Sequence, residues 1–200
     1  MSLAGFSRLQ TAENQRIPAL LEPFQPDWVL ELAPLSSSSP ALPRPRERLL
    51  FDETGIHWPF NARLDALPLD SDSVPAVLLR HLWQPGAPEG GLDEAVRVLR
   101  PGGCLISVSA NPWHLQAWRE IGAAALQLPS WPHWQLQHLR AELEWAMPNS
   151  ARWWPLLPGG SSLLVIVARK PRRPARVRRL SPNRPRLAAA NAAMTRTRAA

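Results

Sequence analysis

The sequence predicts an α/β fold, a mostly parallel sheet with helices on both faces. Three observations carry that expectation. Residues 74–109 read in order as apolar strand, amphipathic helix, tight turn and strand. That is a crossover unit, the connection that joins parallel strands. Residues 162–168, SLLVIVA, are apolar after Ser162 and of strand length, as expected for a sheet covered on both sides. No internal repeat of roughly 20–50 residues is present, so a solenoid is not expected.

Each element has its own signal. Residues 7–22 suit a helix, with Leu9, Ile17, Leu20 and Leu21 apolar, although Pro18 removes a backbone donor in its middle. Residues 28–33, WVLELA, suit a first strand. Residues 34–46 carry Pro34, Pro40, Pro43 and Pro45 around four serines, so no ordinary helix fits there. Residues 48–52, RLLFD, suit a short second strand, and residues 63–69 a third. Residues 74–79, VPAVLL, are an apolar strand with Pro75 near its start, where a missing donor is tolerated. Leu92, Ala95, Val96 and Leu99 lie on one helical face. Pro101-Gly102-Gly103 predicts a tight turn after that helix, and residues 104–109 the next strand. A further helix is expected with Leu115, Trp118, Ile121 and Ala125 on one face, and another over 135–146 through Leu136, Leu139 and Leu143. Pro158-Gly159-Gly160 predicts a second turn.

Charge divides the chain in two. Residues 1–168 hold 12 arginines against 16 acids, a net of −4, whereas residues 169–200 hold 11 basic residues and no acid, a net of +11. The expected organisation is a folded domain over 1–168 and a disordered Arg/Pro-rich tail over 169–200, which lacks the apolar surface to offset its ordering entropy. The tail offers nonspecific contact with nucleic acid or another anionic partner through phosphate neutralisation, or is a solvated extension. One cysteine, Cys104, allows neither an internal disulfide nor a thiolate metal site. The five histidines show no ligand spacing, so no metal is expected. No secretory pattern opens the chain, and no apolar run approaches the roughly 20 residues of a membrane span, so a cytoplasmic protein is expected.

Two stretches then point to a family. "LDALPLDSDSVPAVLLRHLW" (64–83) and "LDEAVRVLRPGGCLISVSANPWHL" (92–115) resemble the second half of a bacterial class I S-adenosylmethionine (SAM) dependent methyltransferase, closest to the methyltransferase type 11 kind. Asn111-Pro112-Trp113 and the "VARK" at 167–170 match a divergent subgroup with a basic tail. The resemblance implies a Rossmann-like sheet of about seven strands with the last antiparallel, here reduced in its N-terminal half. SAM would lie at the carboxyl ends of the strands, where such sheets place ligands.

The candidate site residues follow from the resemblance and are each open to a plainer reading. Glu31 lies in the first strand, where the family has an acid that helps hold the amino-acid end of SAM. The loop after it has no glycine, and Pro34 lacks an amide donor, so a solvated Ser/Pro loop is the competing reading. Asp52 falls 21 residues after Glu31, a spacing that suits a ribose-binding acid or an ordinary strand-end carboxylate. Asp65 matches the acid that meets the adenine amine, with Ala66, Leu67 and Leu69 as an apolar wall; the alternative is a turn aspartate before Pro68. His81 follows the fourth strand, near cofactor and substrate in the family. Its ring could act as a base, but a structural hydrogen bond is as natural, so no catalytic residue is assigned. Trp131, Trp134, Trp145, Trp153 and Trp154 would be packing anchors or a stacking surface in the substrate-facing half. The expected function is SAM-dependent methyl transfer to an unidentified acceptor; the alternative is a catalytically degenerate methyltransferase-like binding protein whose tail contacts RNA or another anionic partner.

Overall fold

The computed structural model describes residues 7–82, 90–128, 133, 137–138, 140–145 and 161–172. Its strands are β1 (Val29–Pro34), β2 (Arg46–Phe51), β3 (Ile56–Trp58), β4 (Val74–Arg80), β5 (Leu99–Ala110), β6 (Glu144–Trp145) and β7 (Leu163–Arg169). Its α-helices are α1 (Ser7–Leu21), α2 (Gly91–Val98) and α3 (Leu115–Ile121). The strands form one seven-stranded sheet in the order β3-β2-β1-β4-β5-β7-β6. β2, β1, β4 and β5 run parallel, while β7 is antiparallel to both β5 and β6. This is the expected sheet.

Strand periodicity sends alternate residues into two cores. Leu30 and Leu32 of β1, Val77 and Leu79 of β4, and Leu105 of β5 pack with Leu92, Ala95 and Val98 of α2. Val29 of β1, Ala76 and Leu78 of β4, and Cys104 and Ile106 of β5 pack on the opposite face with Leu9, Ile17 and Leu21 of α1 and Ala117 of α3. Helices therefore cover both faces. α1 continues through Pro18, because Leu9, Ile17 and Leu21, at most 5% exposed, anchor it along its length.

The N-terminal half is reduced, as expected. Residues 35–45 join the parallel β1 and β2 without a helix. The third strand, however, is not within 63–69. Asp52 and Gly55 (φ +143°) reverse the chain directly after β2, so β3 pairs antiparallel with β2, Phe51 opposite Ile56. Residues 63–69 are turns, held by Leu69 N–H donating to Leu67 O and by Glu94 accepting from Leu67 N.

Three other expectations need correction. Pro101-Gly102-Gly103 is not a turn before a strand but a bulge within β5: Leu99 pairs with Val74 and Cys104 with Ala76. Gly102 takes a positive φ of +81°. A Cβ on Gly103 would meet Pro75 O at 2.8 Å, so the strands approach closely there. Leu115 and Trp118 of α3 point outward, 62% and 40% exposed, while Ala117 of α3 and Ala125, which lies past the end of α3 at Ile121, are buried. The Trp118 indole is drawn off the core face by donating to Pro112 O. The helix expected over 135–146 does not reach its end, since Glu144–Trp145 pairs with β7 as a strand. Leu136, Leu139, the Pro158-Gly159-Gly160 turn, Trp131, Trp134, Trp153, Trp154 and residues 173–200 of the tail lie outside the described residues. Described structure nonetheless continues past 168: β7 includes Arg169, and Lys170 is anchored by hydrogen bonds.

Candidate functional site

In an open parallel sheet the ligand crevice lies at the carboxyl ends of the strands, where the order reverses. Here that point is between β1 and β4, because β2 lies on the other side of β1. Strand parity decides what meets there. Glu31 shares a face of β1 with Val29, and Arg80 shares a face of β4 with Ala76 and Leu78. That is the face covered by α1. On α1, Glu13 lies four residues from both Leu9 and Ile17, on the buried stripe.

The three charged groups converge. Glu13, Glu31 and Arg80 are each 0% exposed. Arg80 Nε and NH2 donate to Glu13 Oε2 at 2.9 and 2.6 Å. Arg80 NH1 donates to Glu31 Oε1 at 2.8 Å and to Ser38 O at 2.5 Å. NH2 also reaches Asn14 Oδ1 at 3.5 Å. A guanidinium has five N–H donors, so these contacts engage all of them. Glu13 Oε1 pairs with the Nε2 of His81, which is 3% exposed and has left-handed backbone (φ +46°). Burial pushes the Glu13 carboxyl up, but His81 and Arg80 beside it more than offset that and hold it below its ordinary value.

The serine loop is fastened over this cluster. Ser38 N–H donates to Gln10 Oε1 at 3.0 Å, and Asn14 Nδ2 donates to Ser38 Oγ at 2.9 Å. Arg46 donates to Pro40 O at 2.6 Å and Ser39 Oγ at 2.5 Å, and Arg48 to Ser37 O at 3.1 Å. Their Nε atoms also stand 3.3 and 3.2 Å from Glu31 Oε2, close enough for Coulomb attraction. The angles give no hydrogen bond, so Oε2 lacks one among the described residues. The loop is more than a solvated connection: its side chains are mostly exposed, but its polar atoms are tied to α1 and β2.

The other expected residues lie at the same edge or beside it. Asp52 follows β2, next to the end of β1, where Pro34 and Phe51 are paired. Its Oδ1 takes three hydrogen bonds, from Thr54 N–H and Thr54 Oγ1 at 2.7 Å and from His57 Nε2 at 2.8 Å. The Thr54 bonds, with a smaller part from His57, pull its pKa down to about 2. Asp65 is exposed and holds the Arg63 fork on both oxygens, at 2.8 and 2.5 Å. That pairing keeps its carboxyl below the ordinary value. Leu67 packs into the core, whereas Ala66 is exposed, so the two do not make one wall. The structure thus joins Glu31 and His81 in one cluster through Glu13 and Arg80. Asp52 and Asp65 have their own local partners. Among the described residues no group of histidines, cysteines and acids could hold a metal, and no helix is long and apolar enough to cross a membrane.

No protein-family model matches the chain, and no curated protein matches it in sequence. Solved structures do match. A geranyl diphosphate methyltransferase in complex with GPP and sinefungin aligns with a TM-score of 0.51 at 17% identity, over 82% of this chain and 79% of that one. The [4+2]-cyclase SpnF aligns with a TM-score of 0.51 at 14% identity, over 82% of each chain. A geranyl diphosphate C-methyltransferase from Streptomyces coelicolor aligns with a TM-score of 0.48 at 14% identity, over 82% of this chain and 80% of that one.

The fold is that of the class I SAM-dependent methyltransferases. At these identities the likeness is one of fold, and a divergent one. A cyclase on the same fold shows that class I architecture does not by itself fix the reaction.

Does this class I crevice suit SAM? The amino-acid end of SAM carries an ammonium group, which needs acceptors, and a carboxylate, which needs donors. In the β1–β4 crevice the acceptors Glu13 and Glu31 already hold Arg80, and the donors of Arg80 are all engaged. Pro34 offers no amide, and no glycine lets the loop backbone approach. The residues at this end do not fit SAM as arranged. At the β2 end, the three hydrogen bonds of Asp52 all fall on Oδ1.

Proposed function

We propose that this chain is a SAM-dependent methyltransferase acting on an acceptor its sequence does not name. The observation that carries the reading is Asp52, a carboxylate at the carboxyl end of β2 in a class I sheet, with Oδ2 outside its own turn hydrogen bonds. Oδ2 would accept from ribose hydroxyls. Asp65, beyond β3, would meet the adenine amine. Methyl transfer itself asks mainly that the acceptor be held in line with the methyl group, so no general base is assigned, and His81 is read as a structural partner of Glu13.

The buried Arg80 favours a second reading. A crevice whose amino-acid end is closed by its own side chain suits a catalytically degenerate methyltransferase-like binding protein. The basic tail would then supply nonspecific nucleic-acid contact.

Calorimetric titration with SAM and with S-adenosylhomocysteine separates the two. The first reading expects saturable micromolar binding that weakens about tenfold or more in Asp52→Ala, the loss of one charge-assisted hydrogen bond pair. No heat of binding at millimolar ligand would sink it and leave the second.

A further inference from the structure

The cluster between α1, β1 and β4 has the form of a filled binding site. Two fully buried carboxylates, Glu13 and Glu31, face one point from different elements. Asn14 Oδ1 and Ser38 O complete the ring of acceptors around it. The set matches one planar guanidinium, whose five donors lie in a fixed fork. A compact ammonium has three donors and could not reach all four acceptor groups at once.

The acceptors are also held from behind, independently of Arg80. Glu13 is held by His81. Ser38 is held by Gln10 and Asn14. Glu31 has Arg46 and Arg48 at 3.3 and 3.2 Å from its other oxygen. That oxygen is buried and faces both guanidinium Nε atoms, so Glu31 keeps its place whether or not Arg80 is present. Without the cation they share, among the described residues Glu13 keeps only His81 and Glu31 only the longer Arg46 and Arg48 contacts, which is destabilising for buried carboxylates. An emptied site would therefore draw in a replacement.

We propose that Glu13, Glu31, Asn14 and Ser38 form a monoalkylguanidinium-binding site that the chain fills with its own Arg80, and that this internal occupant closes the β1–β4 crevice to an ammonium-bearing ligand. The site stands on its own contacts and does not require that SAM bind. For SAM to enter in the usual orientation, Arg80 has to withdraw and give up its hydrogen bond to the Ser38 carbonyl.

The test is chemical rescue in the full chain. Arg80→Ala removes the side chain beyond Cβ, and ethylguanidinium replaces nearly what is lost. Arg80→Ala should melt roughly 10 °C below the wild type. Low-millimolar ethylguanidinium should restore most of that loss saturably and leave the wild type unmoved. Ethylammonium should restore less, and adding Glu31→Gln to Arg80→Ala should weaken the rescue at least about tenfold. The proposal is overturned if Arg80→Ala melts like the wild type, or if ethylguanidinium shifts both proteins alike. Should Arg80→Ala not fold alone, refolding from denaturant with ethylguanidinium must recover the native circular dichroism; failure there overturns it too. The uncharged Glu13→Gln/Glu31→Gln/Arg80→Met protein should be folded and unresponsive, and a response equal to that of Arg80→Ala would refute the site. None of these outcomes depends on SAM, so this proposal and the methyltransferase reading can fail separately.

Discussion

Lys170→Met should destabilise the domain by about 2–3 kcal/mol, although Lys170 sits in what reads as the start of a basic tail. Its ammonium donates to Asp72 Oδ1 at 2.6 Å, Val96 O at 2.6 Å and Leu99 O at 2.7 Å. Two of those acceptors are carbonyls at the C-terminal end of α2, which ends at Val98. A helix leaves its last carbonyls without partners, and a cation there also meets the negative end of the helix dipole. The Lys170 side chain is 15% exposed and Asp72 33%, so water replaces part of what is lost. Hydrogen bonds to a charged donor contribute about 1.5–3 kcal/mol each when buried. With three of them partly re-solvated and the stem kept by methionine, about 2–3 kcal/mol net is the expected cost. That lowers the melting temperature by roughly 4–12 °C for a domain of this size. Urea unfolding of the two proteins measures it, with the m-value unchanged. A chain ending after residue 172 should match the full chain in stability, while one ending after 168 should lose at least as much as Lys170→Met. A loss below about 0.5 kcal/mol for Lys170→Met would refute the capping argument.

Two further predictions rest on titrating groups. Burial pushes the Cys104 thiol up to about 11, against smaller opposing pulls from Arg169 and Arg100. A thiol reagent at pH 8 should therefore label the native protein at least about 100-fold more slowly than the urea-unfolded chain; equal rates would contradict the buried position. Asp52 has its folded pKa depressed from 3.8 to about 2, so its contribution is present above pH 3.8 and is lost as pH falls through 2. Because its side chain is 44% exposed, that contribution is below about 1 kcal/mol after solvent screening. Carboxyl NMR titration should show the Asp52 value rising toward 3.8 in Thr54→Val, and an unchanged value would refute the assignment of the shift to Thr54.

The parallel part of the sheet was legible because its signals are local and redundant. Residues 92–99 carry a helical stripe, 74–79 and 163–168 are apolar throughout, and the connection between them leaves few topologies. β3 was not legible. Its three residues, Ile56, His57 and Trp58, are too few for their alternation to stand out, and their pairing depends on the Asp52–Gly55 reversal. Pro101-Gly102-Gly103 carried the right chemistry, a positive φ and a close approach, in the wrong setting. Glycine marks the backbone conformation, and whether that conformation sits in a turn or a bulge depends on which strand lies alongside.

The site shows the same division more sharply. Each element around the cluster has an apolar stripe broken by one charge: Leu9, Glu13 and Ile17 on α1; Val29, Glu31 and Ala33 on β1; Ala76, Leu78 and Arg80 on β4. Read singly, Glu31 resembles a cofactor acid, and Arg80 is only the end of a strand. Neither carries information about the other, because residues 13, 31 and 80 meet only through the fold. Once they meet, charge decides between the readings. A carboxylate kept for a ligand's ammonium would remain without a cation until the ligand arrives, at a cost in the folded chain. Here Glu13 and Glu31 share an internal cation whose donors are all engaged. With Arg46 and Arg48 beside Glu31 completing the balance, the stripe breaks compensate one another, and the chain needs no ligand to make that part of its core stable. Any ligand of the β1–β4 crevice therefore competes with Arg80 before it competes with water.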